Sequence, residues 1–241
     1  MIEAGHRDAV TVLRLNRPPV NAMSLELLRS LTETMRATHG PVVVTGTGRV
    51  FSAGVDLRQV LAGDARHAAT LIDTLAEAFL AVFEHPAPTV AAINGAAIAG
   101  GCVLALACDV RLVVGGRIGL TEMAVGVPFP RAGLEIVRHA LGSRVTRVVL
   151  RAEPFGAEAA VRLGLVDEQL PADGLMTRAV EIAAGMAPSP TTYALVKSQL
   201  HEPVRAALAQ ADDSATIAAW SAPETRERIS RQLESLRRGD S

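Results

Sequence analysis

The stretch TVAAINGAAIAGGCVLALACD, residues 89–109, decides the fold. It opens with an apolar run, Thr89 to Ile93, of the length that suits a buried strand. Asn94-Gly95 predicts a break after that strand, and the unbroken apolar segment Cys102 to Cys108 predicts a buried helix. Gly100 and Gly101 at the start of the helix leave backbone N–H groups uncovered, so an oxyanion could bind there. The alternative is that the two glycines simply allow close packing.

A second stretch has the same design. Pro41 to Thr45 predicts a strand, and it is followed by the small residues Ser52, Ala53 and Gly54, which again expose backbone amides. Two such sites after two buried strands could give two N–H donors to one carbonyl oxygen. That arrangement is an oxyanion hole, and it suits enolate chemistry on a thioester.

These two stretches carry a family resemblance. FSAGVDL (residues 51–57) and NGAAIAGGCVLALACD (94–109) resemble the two motifs of the enoyl-CoA hydratase/isomerase (crotonase) superfamily. NRPPVNAMS (16–24) resembles its first CoA-binding loop, and EPFGAEAAVRLGLVDEQLP (153–171) resembles its later helix-turn region. The resemblance covers nearly the whole chain. It implies an α/β fold with a crotonase-like ββα spiral core over residues 1–187 and a C-terminal helical trimerisation region over 188–241.

The resemblance also implies a set of site residues. The N–H groups of Val55 and Gly100 would hold the thioester oxygen. Contacts with coenzyme A would come from the loops that contain Asn21, Ala22, Ala53, Asp56, Leu57 and Arg58. Arg17 and Arg58 are candidate partners for the CoA phosphates, with a solvated arginine as the alternative for each. Neither a metal nor a separate cofactor is expected, because coenzyme A arrives as part of the acyl-CoA substrate.

Glu122 is the candidate acid/base. It stands in the otherwise apolar stretch RIGLTEMAVGV (residues 117–127). A surface carboxylate is the usual fate of a glutamate. A carboxylate enclosed by the neighbouring apolar groups would instead have a raised pKa and could exchange protons near neutral pH. The resemblance places Glu122 at the position of the family's acid/base glutamate. Glu135 is a second candidate, but Arg138 and His139 on the same helix predict a solvated face for it.

The position of Val103 favours one reaction of the family. The family's hydratases use two glutamates, and the first lies three residues after the oxyanion-hole glycine, where this chain has Val103. Valine neither polarises water nor moves a proton, so the resemblance implies a 3-enoyl-CoA to 2-enoyl-CoA isomerase. Pro130 replaces the further acid of dienoyl-CoA isomerases. A hydratase with an unusual water-positioning group, such as Glu135, and a non-catalytic CoA-binding paralogue remain as alternatives.

Composition limits the remaining classes. The chain has 241 residues, 49% of them hydrophobic, and a net charge of −1, so it is long enough for a sizeable core and shows no sign of binding nucleic acid. Cys102 and Cys108 are expected to be buried thiols. No secretion signal and no run that could span a bilayer is apparent, so we expect a cytoplasmic protein that binds no membrane. The resemblance implies a homotrimer or a dimer of trimers. The basic residues of 226–238 are expected on a solvated helix face, with a contact between one of them and a CoA phosphate as the alternative.

Overall fold

A computed structural model describes residues 1–239 of the chain. Its strands, in chain order, are β1 (Ile2–Arg7), β2 (Val10–Leu15), β3 (Val42–Gly46), β4 (Val50–Ser52), β5 (Thr89–Ile93), β6 (Ala96–Ile98), β7 (Val110–Val113), β8 (Arg117–Gly119), β9 (Phe155–Gly156) and β10 (Glu168–Gln169). Its α-helices are α1 (Leu25–Ala37), α2 (Leu57–Ala62), α3 (Ala65–Phe83), α4 (Gly100–Leu106), α5 (Arg131–Leu141), α6 (Val145–Arg151), α7 (Ala157–Leu163), α8 (Leu175–Gly185), α9 (Pro190–Leu208), α10 (Ser214–Ser221) and α11 (Pro223–Arg238). Short 3₁₀ turns cover Glu122–Val125 and Gly142–Arg144.

The strands form two sheets. The larger has the order β1-β2-β3-β5-β7-β10, in which β1 and β2 are antiparallel and the other neighbours are parallel. The smaller has the order β4-β6-β8-β9, and its first three strands are parallel. Both strands predicted from the two key stretches are present, as β3 and β5. The mixed α/β fold expected from the sequence is confirmed.

Three short turns connect the two sheets and create the spiral. Strands β3, β5 and β7 of the larger sheet each turn directly into β4, β6 and β8 of the smaller one. The turns approach each other so closely that a Cβ at Gly95 would lie 2.0 Å from the carbonyl oxygen of Arg49. The Asn94-Gly95 pair therefore does more than break a strand, because it lets successive turns of the spiral pack together.

Helix α4 fills the space beside the smaller sheet. All seven of its residues are buried, and it packs against α3, α5, β4 and β6. Cys102 and Cys108 are free thiols within and just after this helix, and burial raises the pKa of Cys108 to about 12. The prediction of two buried core thiols is confirmed.

The C-terminal helices fold back over the core of their own chain. Helix α9 packs against α5, α10 packs against α3, and α11 packs against α2 and the 3₁₀ turn that contains Glu122. The sequence-based expectation of a solvated basic face is wrong for Arg226, whose guanidinium donates to the carbonyl oxygens of Val60, Leu61 and Gly63. The boundary at residues 187 and 188 stays a prediction, and residues 240 and 241 of the predicted C-terminal region lie outside the described part.

Across residues 1–239, no helix combines the length and the apolar character that crossing a membrane requires.

Candidate active site

Three neighbouring strand ends meet at one cavity. Strands β4, β6 and β8 run parallel side by side, so their carboxyl ends lie at the same edge of the smaller sheet. Val55, Gly100 and Glu122 each follow one of these strands by two or three residues. All three line a cavity of about 250 Å³. The fold therefore brings together the two predicted N–H donors and the predicted acid/base.

The first donor is the main-chain amide of Val55. Val55 pairs with Met23 in an isolated parallel bridge, in which Met23 N–H donates to the Gly54 carbonyl (2.8 Å) and Asp56 N–H donates to the Met23 carbonyl (3.0 Å). Successive amides of an extended chain point in opposite directions. The Val55 N–H group is therefore directed away from Met23, and Val55 itself borders the cavity.

The second donor is the amide of Gly100, the first residue of α4. The first four N–H groups of a helix have no partner within it. A Cβ at Gly54 would lie 3.1 Å from the Gly100 nitrogen, so the two amide-bearing turns are immediate neighbours. Ala99 precedes this amide with a φ of +50°, which is rare for a residue with a side chain, and its own N–H donates to the Gly119 carbonyl (2.8 Å). Such outliers concentrate at functional sites.

The two adjacent glycines have different roles. A Cβ at Gly101 would lie 2.4 Å from the carbonyl oxygen of Ser52, so this position must be glycine for α4 to pack on β4. A Cβ at Gly100 would meet the flexible Sδ of Met23 at 3.3 Å. Close packing therefore explains why residue 101 is a glycine. The other explanation, an uncovered N–H group that could bind an oxyanion, applies to Gly100.

Glu122 is a buried acid with an unpaired oxygen. The residue is 6% exposed, and its Oε2 atom lacks a hydrogen-bond partner within the described part of the chain. Burial raises the pKa of Glu122 to about 8 from its ordinary value of 4.5. The alternative of a surface carboxylate is ruled out by this burial. An acid of this kind can accept or donate a proton near neutral pH.

The rest of the cavity wall is mostly apolar. Val103 is 2% exposed and lies on α4 beside Gly133, so a valine stands where the sequence resemblance implied a glutamate for a hydratase. Thr121 and Gln232 are the uncharged polar residues of the lining, and Pro130 also faces the cavity. The remaining lining residues are Ala53, Leu57, Val60, Leu75, Phe79, Ile98, Ala99, Val125, Val127, Phe129, Gly133, Trp220 and Leu236.

The structure corrects the expectation for Glu135. It is 7% exposed rather than solvated, because it lies on the face of α5 that is covered by other helices. Its Oε1 atom accepts a hydrogen bond from Arg138 (3.1 Å) and forms an ion pair with Arg131 (3.2 Å). Glu135 does not border the cavity. Its charge is already balanced by two arginines, so it is not available to position a water molecule for hydration.

The predicted CoA-binding residues divide into two groups. Ala53 and Leu57 line the open side of the cavity, with Ala53 exposed, Leu57 half-buried and Arg58 exposed at the start of α2. Ala22 is half-buried, and its carbonyl accepts from the Arg17 side chain at 3.3 Å. This group leaves atoms accessible to a ligand.

The second group is used internally. The Asn21 side chain is fully buried and bonds the Arg17 N–H (3.0 Å) and the carbonyls of Thr47 (3.0 Å) and Val50 (2.8 Å). It fixes the loop, and its side chain has no free atom for coenzyme A. Asp56 caps α2 through the Arg58 N–H (3.1 Å) and forms an ion pair with Arg17 at 2.6 Å. Arg17 is therefore paired within the chain rather than solvated.

Sequence reasoning did not predict the contribution of the C-terminal helices. Trp220, Gln232 and Leu236 line the cavity from α10 and α11. The helical periodicity of these segments shows that one face is apolar, but it carries no information on which distant element that face covers. The strained turn at Ala99 was equally invisible, since alanine has no preference for positive φ.

The chain folds as a spiral of paired strands. Two backbone amides and a buried acid lie at the strand ends, and comparison with known proteins shows which family has this arrangement. A family model described as enoyl-CoA hydratase/isomerase matches residues 5–231, and the chain belongs to this family. It is 35% identical over 214 residues to the 2,3-dehydroadipyl-CoA hydratase of Escherichia coli, covering 84% of this chain and 82% of that protein. It is 31% identical to the mouse mitochondrial enoyl-CoA delta isomerase 1, covering 74% of this chain and 65% of that protein.

Among solved structures, the human mitochondrial delta3-delta2-enoyl-CoA isomerase superimposes with a TM-score of 0.93. The match covers 100% of this chain and 99% of the human chain at 26% identity. The family resemblance drawn from the sequence is thereby confirmed. The names of the relatives include both hydratases and isomerases, so membership of the family supports acyl-CoA processing without selecting the reaction.

Proposed function

We propose that this chain is a 3-enoyl-CoA to 2-enoyl-CoA isomerase with Glu122 as its single acid/base. The observation that carries the proposal is the composition of the cavity wall. Within residues 1–239, Glu122 is the one ionisable side chain among the lining residues. A double-bond shift needs one group that removes a proton and returns it, whereas hydration requires a nucleophilic water and a proton donor together.

The proposed reaction has two steps. The Glu122 carboxylate removes a proton from carbon 2 of the 3-enoyl thioester, and the electron pair moves to the thioester oxygen to give a dienolate. The N–H groups of Val55 and Gly100 donate to that oxygen and stabilise its negative charge. The protonated Glu122 then delivers the same proton to carbon 4, and the double bond is left between carbons 2 and 3.

Coenzyme A is proposed to lie across the open side of the cavity. Ala22, Ala53, Leu57 and Arg58 are the candidate contacts, with the Arg58 guanidinium available to a phosphate. Asn21 and the Arg17–Asp56 pair support this loop from within. We also propose that the protein is cytoplasmic and forms a homotrimer or a dimer of trimers. We further propose that it uses neither a metal nor a further cofactor and that it binds neither nucleic acid nor a membrane.

The isomerase proposal is tested with Glu122→Gln. We expect isomerisation of 3-enoyl-CoA, followed by the absorbance of the conjugated thioester, to fall at least about a hundredfold, because a neutral amide cannot accept the proton. Calorimetry with a saturated acyl-CoA should show that the variant still binds. Unchanged isomerisation would overturn the proposal. Binding by the wild-type protein without turnover of any acyl-CoA would favour a non-catalytic paralogue.

A hydratase is the second candidate, and the 35% identity to a protein named as a hydratase favours it. Val103→Glu would place a second carboxyl group in the cavity wall, and we expect it to create or raise hydration of 2-enoyl-CoA. Val103→Gln is the matched control, since it has the same size but cannot shuttle a proton. Strong hydration by the wild-type protein, unaltered by the glutamate, would favour the hydratase over the isomerase.

A further inference from the structure

The single tryptophan of the chain lies in the wall of the cavity. Exposure separates the mouth of this cavity from its buried wall. Ala53 is exposed and Leu236 is 51% exposed, so these residues mark the mouth. Trp220 is 3% exposed, so its ring belongs to the buried wall, where it is the bulkiest side chain of the lining. An acyl chain whose thioester lies at the Val55 and Gly100 amides and whose head group leaves through the mouth would extend its tail along this buried wall.

The indole ring is held in place from two sides. Its Nε1–H donates to the carbonyl oxygen of Pro128 at 2.8 Å, in the segment that joins Glu122 to α5. Helix α10, which carries Trp220, packs against α3, and Asp213 just before it accepts from the Arg131 N–H at 2.9 Å. Moving the ring would leave a buried N–H and a half-buried carbonyl without their partner, which is unfavourable. Trp220 therefore forms a fixed wall rather than a movable gate.

The volume of the cavity indicates the size of the tail. A cavity of 150 Å³ lined by apolar side chains accommodates a benzene molecule. By proportion, about 250 Å³ holds roughly ten non-hydrogen atoms. The thioester carbon, oxygen and sulfur take three of these, which leaves room for an acyl chain of roughly eight carbons. The apolar character of the inner wall favours an unbranched hydrocarbon tail over a polar one.

We propose that Trp220 sets the upper limit of acyl chain length and that the substrates are medium-chain, unsubstituted fatty acyl-CoA thioesters. This inference rests on the proposed function for the orientation of the substrate. It assigns specificity to a helix of the C-terminal region that folds back on the same chain, rather than to the strand ends where the chemistry is proposed.

Calorimetry with saturated acyl-CoA thioesters tests the proposal independently of catalysis. For the wild-type protein, affinity should rise about fourfold per methylene from butanoyl- to octanoyl-CoA, the factor expected from burying one CH₂, and then stop rising at dodecanoyl-CoA. Trp220→Ala should continue the rise, so that dodecanoyl-CoA binds at least about tenfold more tightly than to the wild-type protein. Leu150→Ala, an exposed residue of α6 outside the cavity, is the control. An identical chain-length limit in Trp220→Ala and wild type would overturn the proposal.

Trp220→Leu, which keeps an apolar side chain on α10, replaces the alanine variant if that variant does not fold. It should extend the chain-length limit by fewer methylenes than Trp220→Ala.

The wild-type protein supplies a third readout, because Trp220 is its one indole fluorophore. Octanoyl-CoA should change the tryptophan emission, and butanoyl-CoA or coenzyme A alone should leave it nearly unchanged. Equal changes with all three would contradict the proposal. If the isomerase assay fails while these binding limits hold, the assignment of Trp220 survives and the proposed reaction does not.

Discussion

At the scale of single residues, the burial of Glu122 has a measurable consequence for stability. Its pKa is raised from 4.5 to about 8 because the folded chain removes the carboxyl group from water. Below pH 4.5 the group is protonated in both the folded and the unfolded state. Between the two pKa values the unfolded state loses the proton and the folded state retains it, so ionisation favours unfolding.

We therefore predict that the wild-type protein loses stability relative to Glu122→Gln as the pH rises from about 4.5 to about 8. The slope should not exceed about 1.4 kcal/mol per pH unit, and the difference should become constant above the folded-state pKa. Urea unfolding of both proteins at acidic, neutral and alkaline pH measures it. Because both proteins share every other titratable group, their difference isolates Glu122. A difference that is independent of pH would mean that this carboxyl group is not buried.

The roles of the two adjacent glycines could not be separated from the sequence. The motif at Gly100 and Gly101 allowed two explanations. In the structure, close packing accounts for Gly101, and the role of the Gly100 amide stays a prediction. The choice depends on what lies opposite each Cα, namely the Ser52 carbonyl or the Met23 side chain. That information comes from strand pairing and packing between β4, β6 and α4, which no local sequence pattern contains.

At the scale of the elements, strands were easier to predict than the surroundings of helices. The buried runs that became β3 and β5 are short, apolar and bounded by glycine, so their pattern points directly to a strand. The apolar neighbours of Glu122 predicted its burial correctly. The charged neighbours of Glu135 suggested solvent, yet the two arginines bind it while other helices cover it. Charge in the sequence does not distinguish a solvated face from a buried ion cluster.

Helix α11 provides a prediction at this scale. Arg226 donates to carbonyls at the C-terminal end of α2, where a helix leaves carbonyl groups unpaired, and α2 forms part of the cavity wall through Val60. We expect Arg226→Ala to destabilise the protein by about 1–3 kcal/mol, because three partly buried carbonyl groups lose their donor. We also expect a higher KM for acyl-CoA, since α11 lines the mouth through Leu236.

The matched control for this prediction is Arg231→Ala on the same helix. Arg231 has a 66% exposed side chain and faces Glu227 at 3.8 Å, so its removal should change stability by less than about 0.5 kcal/mol. Thermal unfolding and steady-state kinetics of the two variants make the comparison. Equal effects of both substitutions would show that Arg226 contributes no more than an exposed arginine.

At the scale of the whole molecule, the sequence predicted the class of fold but not the path of the C-terminal helices. Short motifs identify strand ends, and strand order then determines which residues converge at the site. The docking of α10 and α11 depends on contacts with α3, α2 and the 3₁₀ turn that are far apart in the chain. Such long-range contacts leave little trace in periodicity, so the residues that close the cavity emerged from the structure alone.

Helix α9 has exposed apolar side chains that could form a contact between subunits. Leu195 and Leu200 are 62% and 61% exposed, and Val196 between them is 48% exposed. Adjacent exposed apolar residues on one helix are typical of surfaces that bind another protein. In line with the proposed homotrimer or dimer of trimers, we predict that this face contacts a second copy of the chain and that Leu195→Asp combined with Leu200→Asp lowers the assembly state.

Light scattering coupled to size-exclusion chromatography measures this prediction. The wild-type protein should elute with the mass of three or six chains, and the double variant with the mass of one, because two buried carboxylates at an interface are strongly unfavourable. Leu150→Asp is the matched control, since Leu150 is also 62% exposed but lies on α6. A monomeric wild-type protein, or a variant that keeps the wild-type mass, would contradict the assignment of the interface to α9. Retained binding of octanoyl-CoA by the monomeric variant would agree with an acyl cavity completed by helices of its own chain.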